Sequence, residues 1–133
     1  MRLEIVTPKK TIQEEGVDFI SMEGAGGSFG VLPGHTPLLA ELKIAPLSYI
    51  KQKKKEFIAV MGGAARVMKD RVLIVTDDAE TAVEINILAA NKEKEDAEAY
   101  LSRKTEIKDM IKAESQLRKA LVRLKVAEVN KKQ

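Results

Sequence analysis

Short apolar stretches separated by turn residues make up the chain from Arg2 to about Glu84. The stretches are residues 3–7, 17–22, 57–61, 65–68 and 71–75, and they end at or near Pro8, the glycine-rich run 24–28, Gly62-Gly63 and Lys69-Asp70. Breaks every 8–12 residues are typical of an all-β sandwich or barrel. Proline stops a strand because it lacks an N–H, and glycine accepts the positive φ of tight turns. The pattern therefore predicts a β-sandwich domain over residues 1–84.

Beyond Glu84 the apolar residues recur at helical spacing. Residues 86–102 carry Ile87, Ala90, Ala97 and Leu101 on one stripe, and residues 107–130 carry a second stripe of Met110, Ala113, Leu117, Ala120, Leu121, Leu124 and Ala127. Residues 103–105 separate the two, and Thr105 is the predicted N-cap of the second helix. A link this short predicts an antiparallel helical hairpin over residues 85–133.

The apolar stripe of the hairpin is narrow and partly alanine, so the hairpin buries little area and should be marginal on its own. A weakly held appendage on a solid sandwich is a candidate moving part. A hairpin that stays docked on the sheet fits the same pattern equally well.

Composition excludes several kinds of active site. The 133 residues include no cysteine and one histidine, His35, which excludes disulfides, thiolate chemistry and multi-histidine metal sites. No apolar run approaches the roughly 18 residues that a membrane span needs, and residues 1–4 lack the apolar region of a signal peptide. We therefore expect a soluble cytosolic protein that reaches a membrane only through a partner.

Charge is concentrated at the C-terminus. Residues 115–133 carry six basic side chains and one acidic one, Glu128, whereas the rest of the chain is close to balanced. This asymmetry indicates an acidic partner, although a solvated helix face would show the same composition.

Two motifs suggest chemistry that the rest of the chain does not support. Residues 26–30, G-G-S-F-G, match the G-x-S-x-G pattern around a catalytic serine, but Ser28 lies between β-like segments and no strand-to-helix turn follows. Lys51, Lys53, Lys54 and Lys55 form a basic run between two strands, which usually marks a solvated hairpin tip. With 4% aromatic residues, platforms for stacking bases are scarce. The sequence composes no active site.

Residues 30–38, G-V-L-P-G-H-T-P-L, resemble the G-x-L-P-G-H-x-P-L segment of the epsilon subunits of F-type ATP synthases. Residues 1–7, 57–63, 72–79 and 121–128 are similar to further segments of that family in the same order, so the resemblance covers essentially the whole chain. It implies a β + α fold, a ten-stranded β-sandwich followed by an antiparallel two-helix hairpin.

In function, the resemblance implies a non-catalytic rotor subunit of the central stalk that couples the gamma subunit to the c-ring during ATP synthesis driven by a proton gradient. Its helices, when extended into the catalytic head of alpha and beta subunits, would block ATP hydrolysis. The implied location is peripheral, on the cytoplasmic face of the cell inner membrane.

Two sets of site residues follow from this resemblance. Pro33, Gly34, His35, Thr36 and Pro37 are the predicted contact with the rotor and c-ring, although Pro-Gly and Thr-Pro could also simply set a turn. Ser28 belongs to the same set, but many family members have an acidic residue there, which puts that polar contact in question. Arg118, Lys119, Arg123 and Lys125 are the candidate contacts to the catalytic head, where each exposed pair would contribute only about 0.2–1 kcal/mol.

Some bacterial members bind ATP at the hairpin through a motif that this chain matches only in part. Glu80, Ile85 and Arg123 agree with it, whereas Asn86, Ala89 and Asp96 stand where the motif has an aspartate and two arginines. A triphosphate needs converging positive charge, so we predict weak or absent ATP binding and no cofactor or metal.

Two other functions compete with the rotor subunit. The basic hairpin could belong to an adaptor that binds nucleic acid or another acidic partner, or Ser28 could serve a small hydrolase. The resemblance favours the rotor subunit, with no nucleic acid among its partners.

Overall fold

Eight strands and two helices follow one another along the residues described in the computed structural model, 1–103 and 106–132. The strands are β1 (Arg2–Val6), β2 (Thr11–Glu14), β3 (Phe19–Gly24), β4 (Gly27–Val31), β5 (Leu38–Lys51), β6 (Lys54–Val67), β7 (Arg71–Val75) and β8 (Ala79–Thr81). A single 3₁₀ turn, Ala82–Glu84, leads to α1 (Ile87–Ser102) and α2 (Ile107–Lys132). The predicted succession of a β region and two helices is confirmed.

One continuous sheet folds over to enclose the core. Its strand order is β2-β1-β7-β6-β5-β3-β4, with β8 added on β6, and among the described strands only β1 and β7 pair in parallel. Leu3 and Ile5 of β1 share a single buried cluster with Ile20 and Met22 of β3, although three strands separate β1 from β3 in the sheet. Such contact across the sheet requires it to close on itself, which is the sandwich arrangement.

The two long strands β5 and β6 form the centre of the sheet. They pair from Leu38 with Val67 to Lys51 with Lys54. At their tip Gln52 and Lys53 have φ of 52° and 65°, the two positive values that a type I′ turn requires. The lysine run 51–55 is therefore a hairpin tip, as its composition predicted.

The predicted strand break at Gly62-Gly63 is wrong. Strand β6 continues through both glycines, with φ of 79° and 115°, and keeps β5 as its partner on either side. Its first part pairs with β8 and its second part with β7. If β5 and β6 are each counted as two segments, the sheet has the ten strands that were expected. Counted as continuous strands, as the structure has them, the total is eight.

Pro46 lies inside β5, where a residue without an N–H is normally excluded. It is tolerated because the pairing between β3 and β5 is interrupted there. Ser48 pairs with Ser21 and Leu42 with Gly24, and the register shifts between these two positions. The proline thus occupies a gap in the ladder.

Helix α1 packs mainly on α2, and α2 packs on β5 and β6. The helices run antiparallel, since Tyr100 near the end of α1 lines a cleft with Asp109 and Lys112 near the start of α2. Both helices bury alanines at seven-residue spacing: Ala90 and Ala97 on α1, and Ala113, Ala120 and Ala127 on α2. Thr105, the predicted N-cap of α2, lies outside the described residues.

Candidate functional site

The loop between β4 and β5, residues 32–37, is anchored at its centre and exposed around it. The N–H of Gly34 donates to the carbonyl oxygen of Lys69 at 2.9 Å, which ties the loop to the β6–β7 turn, and Gly34 has a φ of 83°. The Nδ1 atom of His35 lies 2.6 Å from the carbonyl oxygen of Thr36. Pro33, Thr36 and Pro37 are exposed. The loop predicted to contact the rotor is therefore exposed and has a defined conformation.

Three exposed leucines extend this loop, and the sequence analysis missed them. Leu32, Leu38 and Leu39 are 60%, 41% and 75% exposed. Leu38 and Leu39 line a groove with Pro37, Arg66 and Met68. A sequence signal existed, because adjacent strand residues point to opposite faces and two neighbouring leucines cannot both enter one core. Leu32 is exposed at the other end of the loop, and we call Leu38 and Leu39 the leucine patch.

Ser28 lies on β4, paired with Glu23 of β3, and is exposed. Although it is ten residues from Leu38 in sequence, the two side chains line one groove along the β3–β4 turn. The structure thus brings Ser28 and Leu38 of the leucine patch to one groove. The G-x-S-x-G run is part of a β-hairpin, which lacks the strand-to-helix turn that a catalytic serine needs.

Arg123 of α2 contacts three carboxylates, two at and beside β8 and one on α1. Its Nε lies 2.5 Å from Oε1 of Glu80 on β8, and its other two nitrogens lie 3.2 Å from Oδ2 of Asp78 and 3.3 Å from Oε2 of Glu93 on α1. Only 16% of the Arg123 side chain is exposed. We call this group of four residues the Arg123 cluster.

The electrostatics of the Arg123 cluster favour the charged guanidinium. Burial acts to lower the pKa of Arg123, but the hydrogen bond from Arg123 to Glu80 and the charges of Glu80 and Glu93 outweigh burial. The net effect is a raised pKa. Because the three carboxylates engage the guanidinium from different sides, it has little room for another anion in this conformation.

The four candidate head contacts separate into two pairs. Arg118 and Lys125, seven residues apart, are exposed on the outer face of α2, whereas Lys119 and Arg123 are partly buried on its inner side. The outer face also carries Ile107, Ile111 and Leu121. In the docked hairpin only Arg118 and Lys125 are presented to a partner.

The residues matching the nucleotide motif have other contacts here. Glu80 pairs with Arg123, and Ile85 is buried in a second apolar cluster with Met61 and Val126. Asn86 is the N-cap of α1, its side chain accepting from the N–H of Ala89 at 3.0 Å. Ala89 and Asp96 are exposed on α1.

A second ion pair holds the segment that leads into α1. The ammonium of Lys10, in the β1–β2 loop, donates to Glu84, and Glu84 also accepts from the N–H and hydroxyl of Thr81. These hydrogen bonds, led by that from Lys10, lower the pKa of Glu84 to about 2. The start of the hairpin is therefore tied to the sandwich by an ion pair.

Neither described helix combines the length and the apolar character needed to cross a bilayer.

The family whose models match this chain has two parts. The β-sandwich domain of the ATP synthase delta/epsilon chain matches residues 1–82, and its long alpha-helix domain matches residues 84–128. The ATP synthase epsilon chain of Syntrophobacter fumaroxidans is 41% identical over 128 residues, which cover 96% of both chains.

Two solved structures resemble the fold. A chain of the Euglena gracilis mitochondrial ATP synthase, in a structure with OSCP, F1 and the c-ring, aligns with a TM-score of 0.78 at 26% identity, covering 94% of this chain and 79% of its own. A chain from the central stalk and c-ring of the Tetrahymena thermophila mitochondrial ATP synthase aligns at 0.61 and 16% identity over 96% of both chains, which supports the fold alone. None of these relatives supports the nucleic-acid adaptor. The two family models together match residues 1–82 and 84–128, which include the exposed G-V-L-P-G-H-T-P-L loop and the helical hairpin. The chain therefore belongs to the ATP synthase delta/epsilon chain family.

Proposed function

We propose that this protein is a non-catalytic subunit of the ATP synthase rotor, docked through its sandwich and inhibiting ATP hydrolysis through its hairpin. The observation that carries the proposal is the full-length likeness to an epsilon chain, with 96% of each chain aligned.

The sandwich would contact the gamma subunit and the c-ring through the loop 32–37 and the leucine patch. A loop fixed by the Gly34–Lys69 hydrogen bond is pre-ordered, so binding would cost little conformational entropy. Exposed leucines beside prolines supply the apolar centre that a specific interface needs. The likeness to a chain from a complex that includes the c-ring supports this assignment.

The hairpin would act on the alpha and beta subunits of the catalytic head. Helices of 16 and 26 residues would reach roughly 60 Å if laid end to end. Arg118 and Lys125 on the outer face would meet an acidic surface there. The subunit would lie at the membrane only as a peripheral part of the complex, on the cytoplasmic face of the inner membrane, and contribute to proton-driven ATP synthesis by coupling gamma to the ring.

A titration into a catalytic head–gamma complex lacking this subunit tests the proposal. ATP hydrolysis is followed with the full chain and with a version ending at Glu84. The main core of the sandwich contains no helix residue, so the shorter chain keeps that core, and a thermal melt checks it. We expect both to bind at one copy per complex and only the full chain to inhibit. Equal rates would remove the inhibitory role, and absence of binding by both would remove the proposal.

A further inference from the structure

Arg123 is where the three parts of the folded molecule meet. Asp78 and Glu80 belong to the sandwich, Glu93 belongs to α1, and the guanidinium comes from α2. Helix α1 packs mainly on α2, so the shared guanidinium also links α1 to the sandwich. One side chain therefore contacts both helices and the sheet.

The remaining docking surface is small. The second apolar cluster joins Val122, Val126 and Ala127 of α2 to Ala59 and Met61 of β6 and to Ile85. Outside this cluster, the buried residues of the two helices as described are alanines, which remove less apolar surface from water than leucines would. Within the Arg123 cluster, Arg123 and Glu80 are 16% and 20% exposed, whereas Asp78 and Glu93 are 42% and 53% exposed. Removing one partner of the Arg123–Glu80 pair would leave the other charge poorly solvated in the docked state, which would weaken docking.

The same arginine is among the candidate contacts to the catalytic head. In the docked hairpin its nitrogens face three carboxylates and its side chain is 16% exposed. It cannot contact a partner until α2 leaves the sandwich. Undocking would also leave Asp78, Glu80 and Glu93 without this shared cation.

We propose that the Arg123 cluster is a latch: Arg123 either holds the hairpin on the sandwich or contacts the catalytic head, and the three carboxylates decide between these states. The effect on hydrolysis rests on the function proposed above, whereas the latch itself is a property of the isolated chain. Neutralising one of the three carboxylates would release the hairpin and leave Arg123 able to contact the head. Replacing Arg123 would also release the hairpin but would remove its contact with the head.

The position of the hairpin can be measured directly because the chain has no cysteine. Spin labels at Gln13→Cys and Ser102→Cys, both exposed, report the distance between the sandwich and the end of α1 in the full chain. We expect Glu80→Gln and Arg123→Gln each to raise the undocked fraction about tenfold, the scale of one charge-assisted hydrogen bond. Lys108→Gln, which removes an exposed charge near the start of α2, is the matched control and should leave the distances unchanged. Circular dichroism verifies that the helices persist.

Inhibition of hydrolysis then separates the two uses of the arginine. Glu80→Gln should inhibit more strongly than the natural chain, and Arg123→Gln should inhibit less than Glu80→Gln at equal undocking. Unchanged distances in both variants would refute the latch. If the natural chain inhibits hydrolysis, equal inhibition by the two variants at equal undocking would refute the contact of Arg123 with the head. If the distances change but no version of the chain inhibits, the inhibitory function fails and Arg123 only holds the hairpin on the sandwich.

Discussion

A β-carbon on Gly63 would lie 2.0 Å from the carbonyl oxygen of Val75, closer than any side chain can approach a backbone atom. Gly63 also has a φ of 115°, which residues with a β-carbon rarely adopt. We expect Gly63→Ala to lower the free energy of unfolding by more than about 3 kcal/mol, measured by urea denaturation, or to prevent folding.

Gly26→Ala is the matched control for this substitution. Gly26 lies in the turn between β3 and β4, lacks a positive φ and has no atom within 4 Å of an added β-carbon. Its unfolding free energy should change by less than about 0.5 kcal/mol. Similar losses at both glycines would show that the contact between Gly63 and Val75 does not determine the fold.

Stability should fall in acid partly because of Glu84. Its pKa is about 2 in the folded chain against 4.5 ordinarily, so its contribution is complete above pH 4.5 and is lost as the pH falls towards 2. The side chain is 40% exposed, which limits the effect to a fraction of about 1 kcal/mol. Urea midpoints at pH 5.5 and pH 3 should therefore differ less in Glu84→Gln than in the natural chain.

Glu98→Gln provides the comparison for the acid series. Glu98 is exposed on α1 and has no ion pair among the described contacts. Between pH 5.5 and pH 3, the urea midpoint of Glu98→Gln should fall by the same amount as that of the natural chain. If Glu84→Gln also follows the natural chain, the ion pair with Lys10 does not stabilise the folded state.

Periodicity predicted the two helices, and the short link between them predicted their antiparallel pairing. Local pattern was sufficient here because neither feature depends on distant parts of the chain. It failed where long-range pairing overrides a local signal. Two adjacent glycines such as Gly62 and Gly63 usually end a strand, yet β5 continues beside them and keeps β6 paired. Strand β8 has only three residues, too few for any pattern to show.

Only part of the candidate site could be predicted from the sequence. The string around His35 is specific enough to mark the loop 32–37. The Arg123 cluster joins residues up to 45 positions apart, and no local pattern distinguishes Asp78 from Asp77 beside it. The hydrogen-bonding role of each carboxylate depends on the tertiary fold.

Leu39 offers a direct test of the leucine patch. It is 75% exposed, so Leu39→Asp should change the free energy of unfolding by less than about 0.5 kcal/mol. At the centre of an interface the same change should weaken binding about tenfold or more. The measurement is the affinity of the full chain for a purified gamma–c-ring rotor.

Leu88→Asp serves as the control for Leu39→Asp. Leu88 is 83% exposed in the first turn of α1, where an acidic residue is compatible with the helix. Rotor affinity should be unaffected by this substitution. Unchanged affinity for Leu39→Asp as well would exclude the leucine patch from the interface.

The isolated chain should not bind ATP with micromolar affinity in isothermal titration calorimetry. Arg123 is already engaged by three carboxylates, Ala89 offers no charge, and Asp96 would repel a phosphate. Restoring the family motif with Asn86→Asp, Ala89→Arg and Asp96→Arg should raise the affinity at least about tenfold, because arginine binds phosphate in a bidentate manner. Micromolar binding by the natural chain would show that the Arg123 cluster opens readily to admit an anion, which would also weaken the case for a latch.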